Sequence, residues 1–186
     1  MEIIEQIKKY IPSNEQEEKD KRIILEYLNR TEDSLLRTNE ICHVTASGWI
    51  VNKDRSKVLM VYHNIYHSWS WTGGHADGEK DLLAVALREA REETGIMNVK
   101  PVMNDVFSLE TLVVEGHEKK GAYVPCHLHM NVTYLLEADE TEELRIKPDE
   151  NSGVGWIPME ELDNYVTEPW MLERIYKKLV LHLSDG

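Results

Sequence analysis

Residues 88–95 read REAREETG and place three carboxylates, Glu89, Glu92 and Glu93, at i, i+3 and i+4. On a helix that spacing gathers them on one face. Like charges so placed cost a helix about 0.2–0.5 kcal/mol per pair, so the arrangement needs a reason. Arg88 precedes Glu92 by four residues and can neutralise one flank of the cluster. Two readings stand for the rest: a salt-bridged, solvated face, or a seat for a cation that the carboxylates share. The preceding residues favour the cation. Gly73-Gly74 permits a close backbone approach that a side chain would obstruct. Carboxylate oxygens on a rigid face suit a hard ion such as Mg²⁺, which keeps waters and bridges phosphates.

Other side chains surround this stretch in the sequence. CHLH, residues 126–129, sets His127 and His129 on the same side of a strand. Such a pair can ligate zinc, but no third ligand has recognisable zinc spacing. They read instead as sheet-face histidines lining the substrate side. His75 directly follows the diglycine, positioned either to reach a phosphate or to serve as ordinary loop polarity. Trp69 and Trp71 flank the same entrance; their faces can stack a flat group, and the competing role is to cap the core at a strand end. Lys119 and Lys120 lie in a polar loop, as cations for distal phosphates or as plain surface charge. A G-x-S-x-G elbow and a P-loop pattern are both missing, so serine-hydrolase and P-loop readings have no support.

GGHADGEKDLLAVALREAREETGI, residues 73–96, resembles the Nudix box, G-x5-E-x7-R-E-U-x-E-E-x-G-U with U aliphatic. The match falls on Gly74, Arg88, Glu89, Ala90, Glu92, Glu93, Gly95 and Ile96, Ala90 being a small stand-in for a bulkier aliphatic. So many fixed positions are far more specific than a lone glycine-rich loop. One position departs: Lys80 stands where the first box glutamate belongs, with Glu79 beside it. The resemblance implies a Nudix domain over residues 41–186, of α/β (α+β) type, with a mixed β-sheet sandwiched between helices. It implies that Glu89, Glu92 and Glu93 hold Mg²⁺ or Mn²⁺, that Arg88 orients Glu89, and that water attacks a phosphorus within a diphosphate. The general base is then a box glutamate or an acid from a later loop, where Glu150 in PDENSGVGW is the candidate; a solvated turn acid is its plainer role. Substrate contacts are expected from Gly73, Gly74, His75, Trp71, His127 and His129. The implied activity is Mg²⁺-dependent hydrolysis of a nucleoside diphosphate linked to another group X. The alternative, favoured by Lys80, is a weakly catalytic domain used as a nucleotide sensor or interaction module.

These residues must be carried by particular elements. Residues 1–37 read as helical, with Ile3, Ile4, Ile7 and Ile11 in one piece and Ile23, Ile24, Tyr27 and Leu28 in another, which gives an extension over residues 1–40 outside the resemblance. HVTASGWIVN and KVLMVYHN then read as strands around the turn NKDRS. SWSWTGGHADGEK reads as a loop leading into a helix from Asp81 to Thr94, closed by Gly95, whose Leu83, Ala86, Leu87, Ala90 and Thr94 face a sheet. Two more strand-rich blocks, separated by the polar loop HEKKGAY, precede the short strand GVGWIPM and a terminal helix in EPWMLERIYKKLVLHL. The net charge of −13 disfavours broad binding to nucleic acid or an anionic membrane, but not a small phosphorylated ligand held through a metal. The amino-terminal stretch lacks the basic region and apolar run of a signal peptide, and no run is long enough to span a bilayer. Cytoplasmic location is the default expectation, with Cys42 and Cys126 as reduced, buried thiols. The amphipathic extension offers a surface for a homodimer.

Overall fold

A computed structural model describes residues 3–119 and 121–184 of the 186-residue chain, so Lys120 lies outside the described residues. The chain opens with helices α1 (Ile3–Lys9) and α2 (Glu15–Arg30), the latter capped by Asn14, whose side chain accepts from the Glu17 amide. Strands β1 (Cys42–Val51), β2 (Lys57–His63), β3 (Ser68–Ser70) and β4 (Thr72–His75) follow, then helix α3 (Leu82–Thr94). After it come β5 (Lys100–Pro101), β6 (Ser108–Val114), the pair β7 (His117–Lys119) and β8 (Ala122–Val124), then β9 (His127–Glu137) and β10 (Asn151–Pro158). A 3₁₀ turn (Met159–Glu161), the short α4 (Leu162–Tyr165), and a terminal helix close the chain. That helix is α5 (Pro169–Met171), a π-helical stretch (Leu172–Tyr176) and α6 (Lys177–Ser184).

Among the described residues eight strands form one mixed sheet. Its spine is the parallel pair β1–β9, in register from Cys42↔Leu128 to Val51↔Glu137. β1 pairs antiparallel with β2 at one end and with β4 at the other, while β6 lies along β9. Strand alternation gives the sheet two faces. Val44, Ala46, Met130, Val132 and Leu109 point to one, where α3 packs through Leu82, Val85, Ala86 and Ala90. Trp49, Val51 and Leu135 point to the other, beneath Ile175, Tyr176 and Leu179 of the terminal helix. The expected mixed sheet between helices is what the chain forms.

Several elements differ from expectation. SWSWTGGH is paired strand, not loop: β4 adds to β1 through its backbone, and backbone pairing does not require the side chains that its glycines lack. HEKKGAY includes most of the hairpin β7–β8. The buried stripe of α3 runs through Leu82 and Val85, with Leu83 and Leu87 only partly covered at its edge. Cys42 is buried as expected, but Cys126 is exposed one residue before β9; both are free thiols. The amino-terminal helices share the main core, since Ile3, Ile7 and Ile24 bury in the same cluster as α3. They are also tied in electrostatically. Lys178 of α6 lies 3.1 Å from Glu17 of α2 and 3.0 Å from Glu110 of β6, both carboxylates being fully buried.

Candidate active site

The local sequence explains why the glutamates of α3 are held where they are. Asp81 caps the helix by accepting from the Ala84 amide at 3.1 Å, and Gly95 ends it in the left-handed region at φ 79°, its amide donating to Arg91. The apolar stripe fixes the rotation of the helix on the sheet. That rotation points Glu89 and Glu93 at β4, where the glycines make room. A Cβ on Gly74 would stand 2.5 Å from Cδ of Glu89, and the Gly73 amide donates to Glu93 at 3.4 Å.

Arg88, Glu89, Glu92 and Glu150 line one cleft of about 660 Å³ with Arg37, Asp77, Glu79 and Lys147. Arg88 contacts Glu89 at 3.0 Å and reaches towards Glu92. Lys147 bridges the helix to the later loop, 3.4 Å from Glu92 and 3.0 Å from Glu150. Arg37 forms a two-pronged pair with Asp77, a residue at positive φ in the turn after β4. Burial pushes the Glu89 carboxyl above its ordinary range, against the opposing pull of Arg88. Burial pushes Glu93 up much further, with Glu89 and Glu150 adding to the effect, and its side chain has few cations to offset them. Lys147 moves the other way: burial opposes its charge, but Glu150 and Glu92 outweigh burial and hold it protonated. The result is an acidic, metal-suited floor with three basic side chains around it. Carboxylate oxygens from a single helix face, one of them 7% exposed and short of positive charge, form a donor set that fits a hard divalent cation.

The structure therefore brings Arg88, Glu89, Glu92, Glu93, Glu150, Gly73 and Gly74 together. Trp71 is separated from them: it is buried in the second core, edge-on to Tyr176 with ring centroids 5.6 Å apart, and so is a core residue here and not a stacking platform. His75, His127 and His129 also lie apart from this cleft. His75 follows Gly74 by one residue, so strand alternation turns it to the opposite face of the sheet. Lys80, at the departure from the box, is exposed, whereas Glu79 lines the cleft and accepts from the Asp81 amide at 2.9 Å. Sequence reasoning missed Arg37, Asp77 and Lys147. Lys147 stands three residues before Glu150 and carries that weak signal; Arg37 and Asp77 meet only through folding.

A family model described as NUDIX domain matches residues 42–182. Among curated proteins the chain is similar to Nucleoside diphosphate-linked moiety X motif 6 of Xenopus laevis, 25% identical over 151 residues, covering 77% of this chain and 62% of that protein. It is also similar to a Bis(5'-nucleosyl)-tetraphosphatase [asymmetrical] of Mus musculus, 31% identical over 97 residues, covering 51% of this chain and 58% of that protein. The chain thus spans about three fifths of the length of these two relatives. Among solved structures, a C. elegans Ap4A hydrolase binary complex superposes with a TM-score of 0.54 at 20% identity, covering 76% of this chain and 95% of that one, a likeness of fold. No helix among the described residues is long and apolar enough to cross a membrane.

Proposed function

Because this chain belongs to the NUDIX family, we propose that it is a hydrolase that cleaves the diphosphate linkage of a nucleoside diphosphate joined to a further group X, by attack of water on phosphorus. The observation that carries this reading is the convergence of Glu89, Glu92, Arg88, Glu150, Arg37 and Lys147 on one cleft beside the Gly73-Gly74 strand. Glu89, Glu92 and Glu93 would hold Mg²⁺ or Mn²⁺, which when bound polarises phosphoryl oxygens and lowers the pKa of the attacking water. The chain's own groups do the remainder. Arg88 holds Glu89 in place through the 3.0 Å contact. Arg37 and Lys147 present positive charge to the diphosphate oxygens, as donors preorganised by Asp77 and Glu150. Glu150, in the cleft wall, is the carboxylate proposed to take the proton of the attacking water. Glu79 takes the place of the missing box glutamate, since it and not Lys80 lines the cleft. The names of the two curated relatives both speak of nucleosides carrying phosphates, which supports a nucleotide substrate.

The test is product release from a panel of nucleotide sugars, dinucleoside polyphosphates, ADP-ribose and oxidised nucleotides, run with Mg²⁺ and with chelator. Turnover of at least one compound with Mg²⁺, abolished by chelator and by Glu92→Gln, is expected. Turnover that persists in chelator, or none across the panel at saturating Mg²⁺, would refute the proposal.

A further inference from the structure

On the face of the sheet away from α3, four histidines from three strands meet: His43 of β1, His75 of β4, and His127 and His129 of β9. Register explains the meeting. His43 is the direct partner of His129 across the parallel ladder, His75 pairs with Thr45 two residues on from His43, and His127 precedes His129 on the same face. The ring centroids of His43 lie 5.0, 4.9 and 4.8 Å from those of His75, His127 and His129. One ring nitrogen from each of His43, His75 and His129 lies within 4.8 Å of the other two.

Hydrogen bonds fix how these rings present their lone pairs. A neutral imidazole has one N–H and one bare nitrogen. Nδ1 of His43 meets the Asn39 carbonyl at 2.9 Å, and Nδ1 of His127 meets the Pro125 carbonyl at 2.8 Å. A carbonyl only accepts, so both Nδ1 atoms carry the proton and both Nε2 atoms are bare. His43, 3% exposed, keeps that Nε2 buried without a hydrogen-bond partner. The bare Nε2 of His127 lies within hydrogen-bond distance, 3.1 Å, of Nε2 of His129, which ties His127 to the edge of the cluster. Backbone carbonyls that set the tautomer of converging histidines are the supporting shell characteristic of metal-bound imidazole.

We propose that His43, His75 and His129, with His127 packed beside them, form a second metal site, selective for a divalent transition ion of the zinc class and separate from the carboxylate cleft. All-imidazole donors favour Zn²⁺ and its neighbours over Mg²⁺, whose preferred ligands are oxygens. Position gives the site a role: His75 adjoins Gly74, so an ion there clamps β4 to β1 and β9 and stiffens the wall that Glu89 faces.

The experiment uses the full chain, stripped with chelator, exchanged into excess Mg²⁺ to saturate the carboxylate cleft, and titrated with Zn²⁺ by calorimetry. One Zn²⁺ per chain is expected, with at least tenfold weaker binding in His75→Asn/His129→Asn and no change in Glu92→Gln/Glu93→Gln. Zinc binding that survives the histidine pair, or is lost with the glutamate pair, overturns the site. Should the histidine variant not fold by circular dichroism, Co²⁺ on the unmodified chain decides. Intense visible bands of a tetrahedral nitrogen-ligated ion support the site, and the weak spectrum of an octahedral, oxygen-ligated ion overturns it.

Discussion

Gly74→Ala isolates the geometry of the cleft from the stability of the fold. The added Cβ would lie 2.5 Å from Cδ, 2.8 Å from Oε1 and 2.9 Å from Cγ of Glu89. Carbon–carbon contacts settle near about 3.5–4.0 Å, so the carboxyl must retreat by roughly 1 Å. It is the free end of a flexible side chain, and turning it off its rotamer costs about 0.5–1.5 kcal/mol. For a chain of this length that is roughly 1–6 °C in Tm, at about 2–4 °C per kcal/mol. The same displacement at a reacting centre costs on the order of 100-fold in rate. Gly73→Ala makes the contrast, because its Cβ would meet not only Oγ of Ser47 at 2.5 Å but also backbone: the Ala46 carbonyl oxygen at 2.8 Å and Cα of Ser47 at 3.0 Å. Backbone in a paired strand cannot turn aside, and overpacking of about 1–3 kcal/mol is expected, roughly 2–12 °C. Steady-state kinetics at saturating Mg²⁺ and thermal melts of both variants are the assay. Gly74→Ala should lose kcat about 100-fold while melting within a few degrees of the parent. A Gly74→Ala variant with full kcat, or one that melts below Gly73→Ala, would refute the placement of Glu89.

Three further outcomes are expected. Glu93 has its folded pKa raised by burial, so the stability it contributes is present below the unfolded carboxyl value and is lost as pH rises through the folded one. In chelator the melting temperature should therefore fall as pH rises above about 4.5, Glu93→Gln should flatten that slope, and Mg²⁺ should raise the melting temperature of the parent but not of Glu92→Gln/Glu93→Gln. Lys178→Met leaves Glu17 and Glu110 buried without their cation, and should cost about 3–5 kcal/mol, read as a drop of roughly 6–20 °C by circular dichroism; a drop under 3 °C would show that the triad is not a stabilising element. Glu79→Gln should lower turnover about 10–100-fold while Lys80→Gln leaves it near the parent, and equal effects would remove Glu79 from the site.

What could be read in the sequence was what depends on neighbours a few residues away. Helix α3, its Asp81 and Gly95 caps and the common face of Glu89, Glu92 and Glu93 all follow from spacing within one short stretch, Asp81 to Gly95. Register and burial, by contrast, come from partners far along the chain. β4 was unreadable as a strand because its glycines have little strand preference, and only pairing with Thr45–Gly48 makes it one. Two zinc-suited histidines were visible in CHLH, while His43 and His75 join them through strand pairings that no local spacing encodes. Whether Trp71 faces core or cleft is decided by Tyr176, more than a hundred residues later, which packs edge-on against it. The amino-terminal helices looked like an appendage because their period stands apart. Their place in the core depends on Leu109 and the Glu17–Lys178 pair, which lie far away in sequence.

The parallel ladder between β1 and β9 also governs how this chain reaches its native state. Bringing Val51 to the start of β9 closes a loop of about 80 residues, at an entropic cost near 4 kcal/mol by the logarithmic rule, before its hydrogen bonds repay any of it. Shorter-range contacts cost less, so α3 and the antiparallel pairings of β1 with β2 and β4 can form before it. Until β9 docks, β1 presents its whole parallel edge, ten residues of buried-type strand, as an open template for other chains. A substitution that slows β9 pairing would thus leave every residue of the cleft intact and still reduce yield, through aggregation of an intermediate instead of loss of the site.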